Sequence, residues 1–328
     1  MNGMDEMEGS AGTETSSDVG ESSTAVAGDE STTAPGTTET TRDTTDPGTT
    51  TTTEGGEATT TGITVPPECE WVEFEDPALE AMVAEWLGPS PFRGEELAKL
   101  KSIGETDAKI RSLRGFECAF GVVEVGLTRN EIEDLSPLAG LPNVRYLELD
   151  ENQITDVGPL GTLPALEDLN LRKNQITDVS PLAEAPALLE LQLTSNPVGD
   201  LSSLAASTSL VVLLANDTGV SSLEGMRGSS LSTLTVGANP MLTDVSPLVD
   251  MPDLGNLEIG RTGVTDLSPL LEVDWEPCAS VLGVTEASLD AYSLEVVIPA
   301  LCERKVHVTW DEGECDPEPD PMYQPCIP

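Results

Sequence analysis

The strongest constraint on the fold is a repeat of 22 residues. The segment NQITDVGPL at 152–160 returns almost unchanged as NQITDVSPL at 174–182. One apolar position follows the same spacing along the chain, occupied by Ile110, Ile132, Ile154, Ile176, Val198, Val220, Leu242 and Val264. A unit of this length is too small to bury its own apolar face, so consecutive units must stack on one another. The repeat therefore predicts a solenoid.

Each unit contains the pattern of a short strand followed by a tight turn. Two leucines separated by one residue, such as Leu147 and Leu149, precede a recurring Asn. Alternate side chains of a strand point to opposite faces, so the leucines should face the core and the residues between them should face solvent. The Asn side chain can bind unpaired backbone groups of the turn. We expect a structural ladder of Asn130, Asn152, Asn174 and Asn196.

A second recurring pattern, Asp-x-Ser-Pro-Leu, predicts a short helical turn on the opposite side of each unit. Ser136 is the expected N-cap of one such turn, and Pro137 fits its first position, where a missing N–H costs nothing. The recurring acids could form a calcium ladder, but the Gly-rich spacing of calcium-binding solenoids is absent. We therefore expect them to accept hydrogen bonds from backbone donors of the turn. These acids are Asp134, Asp156, Asp178, Asp200, Asp244 and Asp266.

The repeat frame L-x-x-L-x-L-x-x-N-x-I resembles the leucine-rich repeat, and its 22-residue unit, which contains a sequence of the form ITDLSPLAxLPxL, resembles the bacterial internalin-like subtype. The resemblance covers roughly residues 70–310. It implies an α/β fold: a leucine-rich-repeat solenoid with a parallel sheet on the concave face and 3₁₀ or short helical turns on the convex face. Similar repeats also occur in phosphatase-regulating proteins of the cytosol, so that class stays open.

The sequence divides into four parts. Residues 1–64 are predicted to be a disordered, acidic tail or spacer rich in Ser and Thr, because the segment has no aromatic residue and little to bury. A helical cap and a degenerate first repeat are expected over 65–115, regular repeats over 116–272, and a C-terminal cap with a disulfide-bonded tail over 273–328. Whether the tail carries glycans stays open.

Both ends of the solenoid are expected to be capped. Asp76 is the predicted N-cap of a helix beginning at Pro77, as in similar bacterial proteins, and its apolar face is expected to comprise Leu79, Met82, Val83 and Trp86. At the other end, a strand, a helix over about 292–303 and a closing strand are predicted. In the unit near residue 239 the Asn comes one residue early, which could mark a bend, a functional patch or drift.

Six cysteines, none in a C-x-x-C motif, lie outside the regular repeats. An even, dispersed set without metal-ligand spacing indicates three disulfides and an oxidising compartment. Six cysteines allow 15 pairings, and we take the local one as a hypothesis. Its pairs are Cys69–Cys118, Cys278–Cys302 and Cys315–Cys326.

Charge and hydropathy restrict the partners. The net charge of −44 disfavours nucleic acids and anionic membrane surfaces. Direct membrane insertion is not expected, because no run of 18 apolar residues exists. The opening MNGMDEMEGSAG lacks the basic and apolar regions of a signal peptide. We expect a mature or mis-started form of an exported precursor, found outside the cell or on its envelope, with a lipid anchor inferred in missing upstream sequence.

No catalytic motif is present, so we expect neither an enzyme nor a bound cofactor or metal. A solenoid instead offers a broad concave surface for a protein or glycan partner. The expected binding face comprises Tyr146, Glu148, Asp168, Asn170, Arg172, Glu190, Gln192, Val212 and Leu214. We predict a monomeric, surface-attached binding module; a passive structural or adhesive envelope component and a cytosolic regulatory subunit are the alternatives.

Overall fold

The computed structural model describes residues 66–276, 279–311 and 313–315. All of them lie within one compact unit, Thr59–Pro328. The predicted tail over 1–64 lies outside the described residues. In the described part, no helix has both the length and the apolar character needed to cross a membrane.

The short strands form two sheets. The first is a small antiparallel pair, β1 with β2, and the second is an eleven-stranded sheet in which β3 to β13 lie side by side in chain order. Neighbours from β3 to β12 are parallel, and β13 turns back antiparallel to β12. The strands are β1 (Trp71–Val72), β2 (Phe92–Arg93), β3 (Ser102–Gly104), β4 (Glu124–Gly126), β5 (Tyr146–Glu148), β6 (Asp168–Asn170), β7 (Glu190–Gln192), β8 (Val212–Leu214), β9 (Thr233–Thr235), β10 (Asn256–Glu258), β11 (Val281–Gly283), β12 (His307–Trp310) and β13 (Gly313–Cys315).

A 3₁₀ turn on the convex side accompanies most units, and a single apolar core lies between the turns and the sheet. Leu147, Leu169 and Leu191, the central residues of three successive strands, are fully buried. The turns span Ser136–Leu138, Gly158–Thr162, Ser180–Glu184, Ser202–Ala206, Glu224–Met226, Ser246–Asp250 and Ser268–Leu271. The predicted leucine-rich-repeat solenoid is confirmed.

The Asn side chains tie neighbouring units together. Asn174 Oδ1 accepts the N–H of Ile154 at 3.0 Å, and its Nδ2 donates to the carbonyls of Leu149 and Leu171 at 3.0 Å each. The other predicted ladder residues make the same contacts. Asn239, which stands one residue early within its repeat, also joins the ladder and accepts a hydrogen bond from the N–H of Thr218 at 3.0 Å. The ladder is continuous because these amides are buried and successive asparagines share a backbone carbonyl: Leu149, for example, accepts from both Asn152 and Asn174.

The recurring acids hold the 3₁₀ turns, and this corrects the predicted cap. Asp134 Oδ1 accepts the N–H of Ser136 at 2.8 Å, and the corresponding bond recurs at the five other acids. The hydrogen bonds that Ser136 donates to Asp134 hold the pKa of that carboxyl below its usual value. Ser136 is therefore not the N-cap: its side chain makes no cap bond, because the Asp two residues earlier reaches the free N–H first.

The N-terminal cap is α1 (Pro77–Leu87), followed by the single turn α2 (Gly94–Leu97). Asp76 caps α1 through the N–H groups of Ala78 and Leu79, as predicted. Its other oxygen accepts two further N–H groups, from Arg111 and Ser112 in the first repeat. Burial alone would raise the pKa of Asp76, but these four donors together lower it.

The prediction that Trp86 faces the core is wrong. Its exposed fraction is 66%, whereas Leu79, Met82 and Val83 are buried. The apolar stripe of α1 continues in the last turn to the partly buried Leu87, four residues after Val83, and leaves Trp86 outside.

One of the three proposed disulfides is present and two are wrong. Cys69 is bonded to Cys118, which ties the cap to the first repeat. Cys302 is bonded to Cys315, which excludes the Cys278–Cys302 and Cys315–Cys326 pairs. The reason is the hairpin of β12 and β13: it turns Cys315 back beside the end of α3 (Ile298–Glu303), with a Cα–Cα distance of 5.9 Å. A π turn over Ser293–Val297 leads into α3, in the region where a helix was predicted.

Candidate functional site: the concave face

The parallel register arranges the outward-facing residues in rows that cross the sheet. The first row runs from Glu124 through Tyr146, Asp168, Glu190, Val212 and Thr233 to Asn256. The second row runs from Gly126 through Glu148, Asn170, Gln192, Leu214 and Thr235 to Glu258. Eight of the nine residues predicted to form the binding face lie in these two rows. The ninth, Arg172, lies two residues after the end of β6.

The centre of the face is a cluster of acids that we call the acidic patch. It comprises Glu124, Glu148, Asp150, Asp168 and Glu190. Burial raises the pKa of Glu148, and the nearby charges of Asp168, Asp150 and Glu124 raise it further, against a lowering hydrogen bond from Asn170. Burial and the charge of Glu190 raise the pKa of Asp168 in the same way. The carboxylates of the patch therefore repel one another.

The basic residues near the patch are engaged elsewhere. Arg145 pairs with Glu167 at 2.6 Å and lies 5.7 Å from the ring centre of Tyr146. Arg172 and Lys173 both pair with Glu151, at 3.5 and 2.7 Å. Among the described residues, no carboxylate of the acidic patch forms an ion pair. The patch keeps its full negative charge for a partner.

A third row lies at the sharp turn after each strand, and there charges do pair across units. Its residues adopt left-handed φ angles of 53–60° just before each ladder position. Arg129 pairs with Asp107 at 3.1 Å, Lys173 with Glu151, and Arg261 with Glu286. Surface pairs of this kind add little stability, so their main effect is to neutralise charges along this edge of the face.

An apolar edge, which the sequence analysis missed, borders the acidic patch. Leu189 and Val211 directly precede β7 and β8, and the N–H of Val211 donates to the carbonyl of Leu189 at 2.9 Å. Their exposed fractions are 46% and 39%, and that of Tyr146 is 41%. The sequence signal was an apolar residue at a position that Arg145 and Glu167 occupy in earlier units. With the half-buried Val212 and Leu214, they give the face an apolar area beside its charge.

Two shallow hollows lie in the C-terminal part of the face. A hollow of about 330 Å³ is lined by Thr235, Asn256, Leu257, Glu258, Val281, Gly283 and Thr309. A second hollow, of about 230 Å³, is lined by Asn216, Gly237, Ala238, Glu258, Gly260, Arg261, Thr285 and Glu286. Glu258 lines both. Among the described residues there is no group of three or more His, Cys, Asp or Glu side chains that could hold a metal ion.

The family described as Leucine Rich repeats (2 copies) matches residues 142–184 and 164–206. An internalin (inlF) from Listeria monocytogenes is 25% identical over 72% of this chain and 75% of that protein, with a TM-score of 0.57. An internalin C2 (inlC2) from the same organism is 26% identical over 73% of this chain and 94% of that protein, with a TM-score of 0.58. The chain is an internalin-like leucine-rich-repeat protein.

Two consequences follow for the site. The matched repeats, 142–206, contain β5, β6 and β7, which carry most of the acidic patch. No curated protein sequence matches the chain, and a shared fold does not assign roles to the outward-facing residues. The function must be argued from their own chemistry.

Proposed function

We propose that the protein is a non-enzymatic binding module that recognises a protein partner through the acidic patch and the apolar edge beside it. The observation that carries the proposal is a cluster of five carboxylates that form no ion pair within the described part of the chain, next to exposed Tyr146, Leu189 and Val211. Interfaces draw specificity and association rate from complementary charge, and affinity from a few buried aromatic or apolar anchors. The concave face offers both in one place.

The partner surface that fits is basic at its centre and apolar at one side. A basic group placed over Asp168 and Glu190 would relieve the repulsion that raises the pKa of Asp168. A chain with net charge −44 also repels acidic partners at long range, which favours a basic one.

The proposed location is the outside of the cell or its envelope. Two disulfides, Cys69–Cys118 and Cys302–Cys315, support an oxidising compartment. The similarity to internalins supports a secreted or surface-held protein of bacterial type. The predicted Ser/Thr-rich segment over 1–64 would then serve as the spacer between the envelope and the repeats.

The test is affinity capture from the envelope and culture-medium fractions of the producing cell with the full chain as bait. The test bait carries Tyr146→Ala, Asp168→Lys and Glu190→Lys. The control bait carries Glu184→Lys and Glu272→Lys, which reverse the same number of exposed charges in the convex 3₁₀ turns. We expect a partner that the wild type and the control hold and the test bait loses, with all three equally folded by circular dichroism.

Other outcomes would count against the proposal in distinct ways. Equal capture by all three baits would place the interface outside the patch. Loss with the control bait as well would indicate a long-range effect of net charge rather than a defined face. Capture of nothing by any bait would favour the passive structural or adhesive alternative. Free thiols at the four bonded cysteines would favour the cytosolic regulatory one.

A further inference from the structure

The shallow hollow of about 330 Å³ beside Glu258 is large enough for one side chain of a partner, and it combines a carboxylate with apolar surface. It lies on β10 and β11, three strands away from Glu190 in the acidic patch. At a strand spacing of about 4.8 Å, this corresponds to roughly 14 Å. A partner contacting both places would need a segment of only about five extended residues.

In the floor of the hollow, Gly283 lies at a position where the units from β5 to β10 carry a side chain. A Cβ added at Gly283 would come within 1.7 Å of Glu258 Oε2. The carboxylate of Glu258 therefore occupies the space that the glycine leaves, and its other oxygen accepts the N–H of Gly260 at 2.8 Å. This holds the carboxylate in place, with Oε2 left for a further donor.

The chemistry of the lining is that of an acceptor site with one apolar wall. Thr309 supplies a hydroxyl group and Asn256 an amide, while Val281, with an exposed fraction of 41%, supplies apolar surface. Among the described residues, Glu258 forms no ion pair, because the neighbouring Arg261 pairs with Glu286. The surroundings of Glu258 suit a cationic group on an aliphatic stem.

We propose that the hollow beside Glu258 binds an arginine side chain of the partner protein. The guanidinium group would donate to Glu258 Oε2 and to the surrounding oxygens, while the aliphatic stem would pack on Val281. Arginine fits better than lysine because its planar fork donates in several fixed directions and is more weakly hydrated. The inference rests on the proposed function, since it gives the same partner a second anchor on the face.

The test uses the full chain and two probe peptides, acetyl-Gly-Ser-Arg-Ser-Gly-amide and the same peptide with citrulline in place of arginine. Citrulline has nearly the same shape but no charge. Binding is followed by the amide NMR signals of Glu258, Gly260 and Gly283. We expect saturable shifts with the arginine peptide, and a dissociation constant at least about tenfold weaker with citrulline, the loss typical of a charge-assisted hydrogen bond.

Two variants alter the site in different ways, and a third variant, on the convex side, serves as a control. Glu258→Gln removes the charge, and Gly283→Ala keeps the charge but displaces the carboxylate. Both variants should bind the arginine peptide about tenfold more weakly than the wild type does. Glu272→Gln, the same change on the convex side, should leave it unaltered. Equal binding of the two peptides, or unaltered binding to Glu258→Gln, would overturn the inference.

The outcome is separable from that of the proposed function. If the patch variant loses the captured partner while the arginine peptide fails to bind, the binding module stands and the hollow does not. If the arginine peptide binds at Glu258 while the patch variant captures the partner as well as the wild type does, the arginine site is supported and the acidic patch is not the interface.

Discussion

The two halves of the concave sheet share one backbone and differ in their surface. In the N-terminal half, β4 to β7, the outward rows carry mostly acids, amides and one tyrosine. In the C-terminal half, β8 to β11, they carry Val212, Leu214, threonines, Asn256 and Gly283, with Glu258 as the only acid of the strands. The buried central residues, such as Leu169 and Leu257, are equivalent in both halves. Stacking therefore fixes the inward positions and leaves the outward ones free to vary with function.

The halves also differ in how the units are tied together. Every unit from 130 to 196 has a buried Asn with contacts to two neighbouring segments, whereas in the later units Asn239 keeps these contacts but Thr218 and Thr262 replace the Asn. Thr262 Oγ1 donates to the carbonyl of Ile259 within its own unit, at 2.7 Å. We infer that the N-terminal half is the more strongly cross-linked. A more rigid scaffold there would hold the acidic patch in place.

The largest expected effect tests this difference in cross-linking. Asn174→Ala leaves the buried N–H of Ile154 without its partner and removes one of the two Asn donors from the carbonyls of Leu149 and Leu171, so it should lower the free energy of unfolding by about 3 kcal/mol. Thr262→Val removes, at nearly constant volume, the bond that Thr262 Oγ1 donates to Ile259 and the longer one, 3.4 Å, that it accepts from the N–H of Val264, and it should cost about 1 to 2 kcal/mol. Urea denaturation followed by circular dichroism measures both. Equal losses would show that the ladder ties both halves equally.

An intermediate effect tests whether the apolar edge belongs to the binding face. The double change Leu189→Ala and Val211→Ala should weaken partner binding by about fivefold to tenfold, the cost of losing an interface anchor. It should leave the melting temperature almost unchanged, because both side chains are exposed. Val249→Ala, an equally exposed position on the convex side, is the control. A matching loss of affinity in the control would remove the edge from the interface.

The smallest expected effect concerns the repulsion within the acidic patch. The folded state raises the pKa of Asp168, so its ionised form destabilises the fold at pH 7. This penalty is absent below the unfolded pKa and grows as the pH rises through the folded one. Asp168→Asn should therefore raise the melting temperature at pH 7, and the gain over wild type should vanish by about pH 3.

The same substitution in a convex turn should act with the opposite sign. The pKa of Asp266 is lowered by the hydrogen bond from the N–H of Ser268, so its ionised form stabilises the fold. That contribution is present above the unfolded pKa and is lost as the pH falls through the folded one. Asp266→Asn should lower the melting temperature at pH 7. Thermal scans of both variants between pH 3 and 7 would contradict this account if the two shifts had the same sign.

Much of the fold and part of the site followed from the sequence. The Asn ladder, the order of the rows and the cap at Asp76 were predictable because each depends on contacts between positions at a fixed spacing. The pairing of Cys302 with Cys315 was not, since it depends on a hairpin that the period does not encode. The exposure of Trp86 was not predictable either, because it depends on the packing of Leu87 rather than Trp86 in the last turn of α1.

The sequence by itself determined the solenoid, because a strict period of 22 residues makes every unit a copy of its neighbour. It also determined which residues point outward, because side chains alternate along a strand. Only the tertiary structure decided which outward charges are compensated: Lys173 pairs with Glu151, whereas no basic side chain of residues 66–276, 279–311 and 313–315 pairs with Asp168. Only the tertiary structure decided that the carboxylate of Glu258 lies over Gly283 at the edge of a hollow. These outcomes depend on distances between side chains of different units, which a repeat pattern cannot specify.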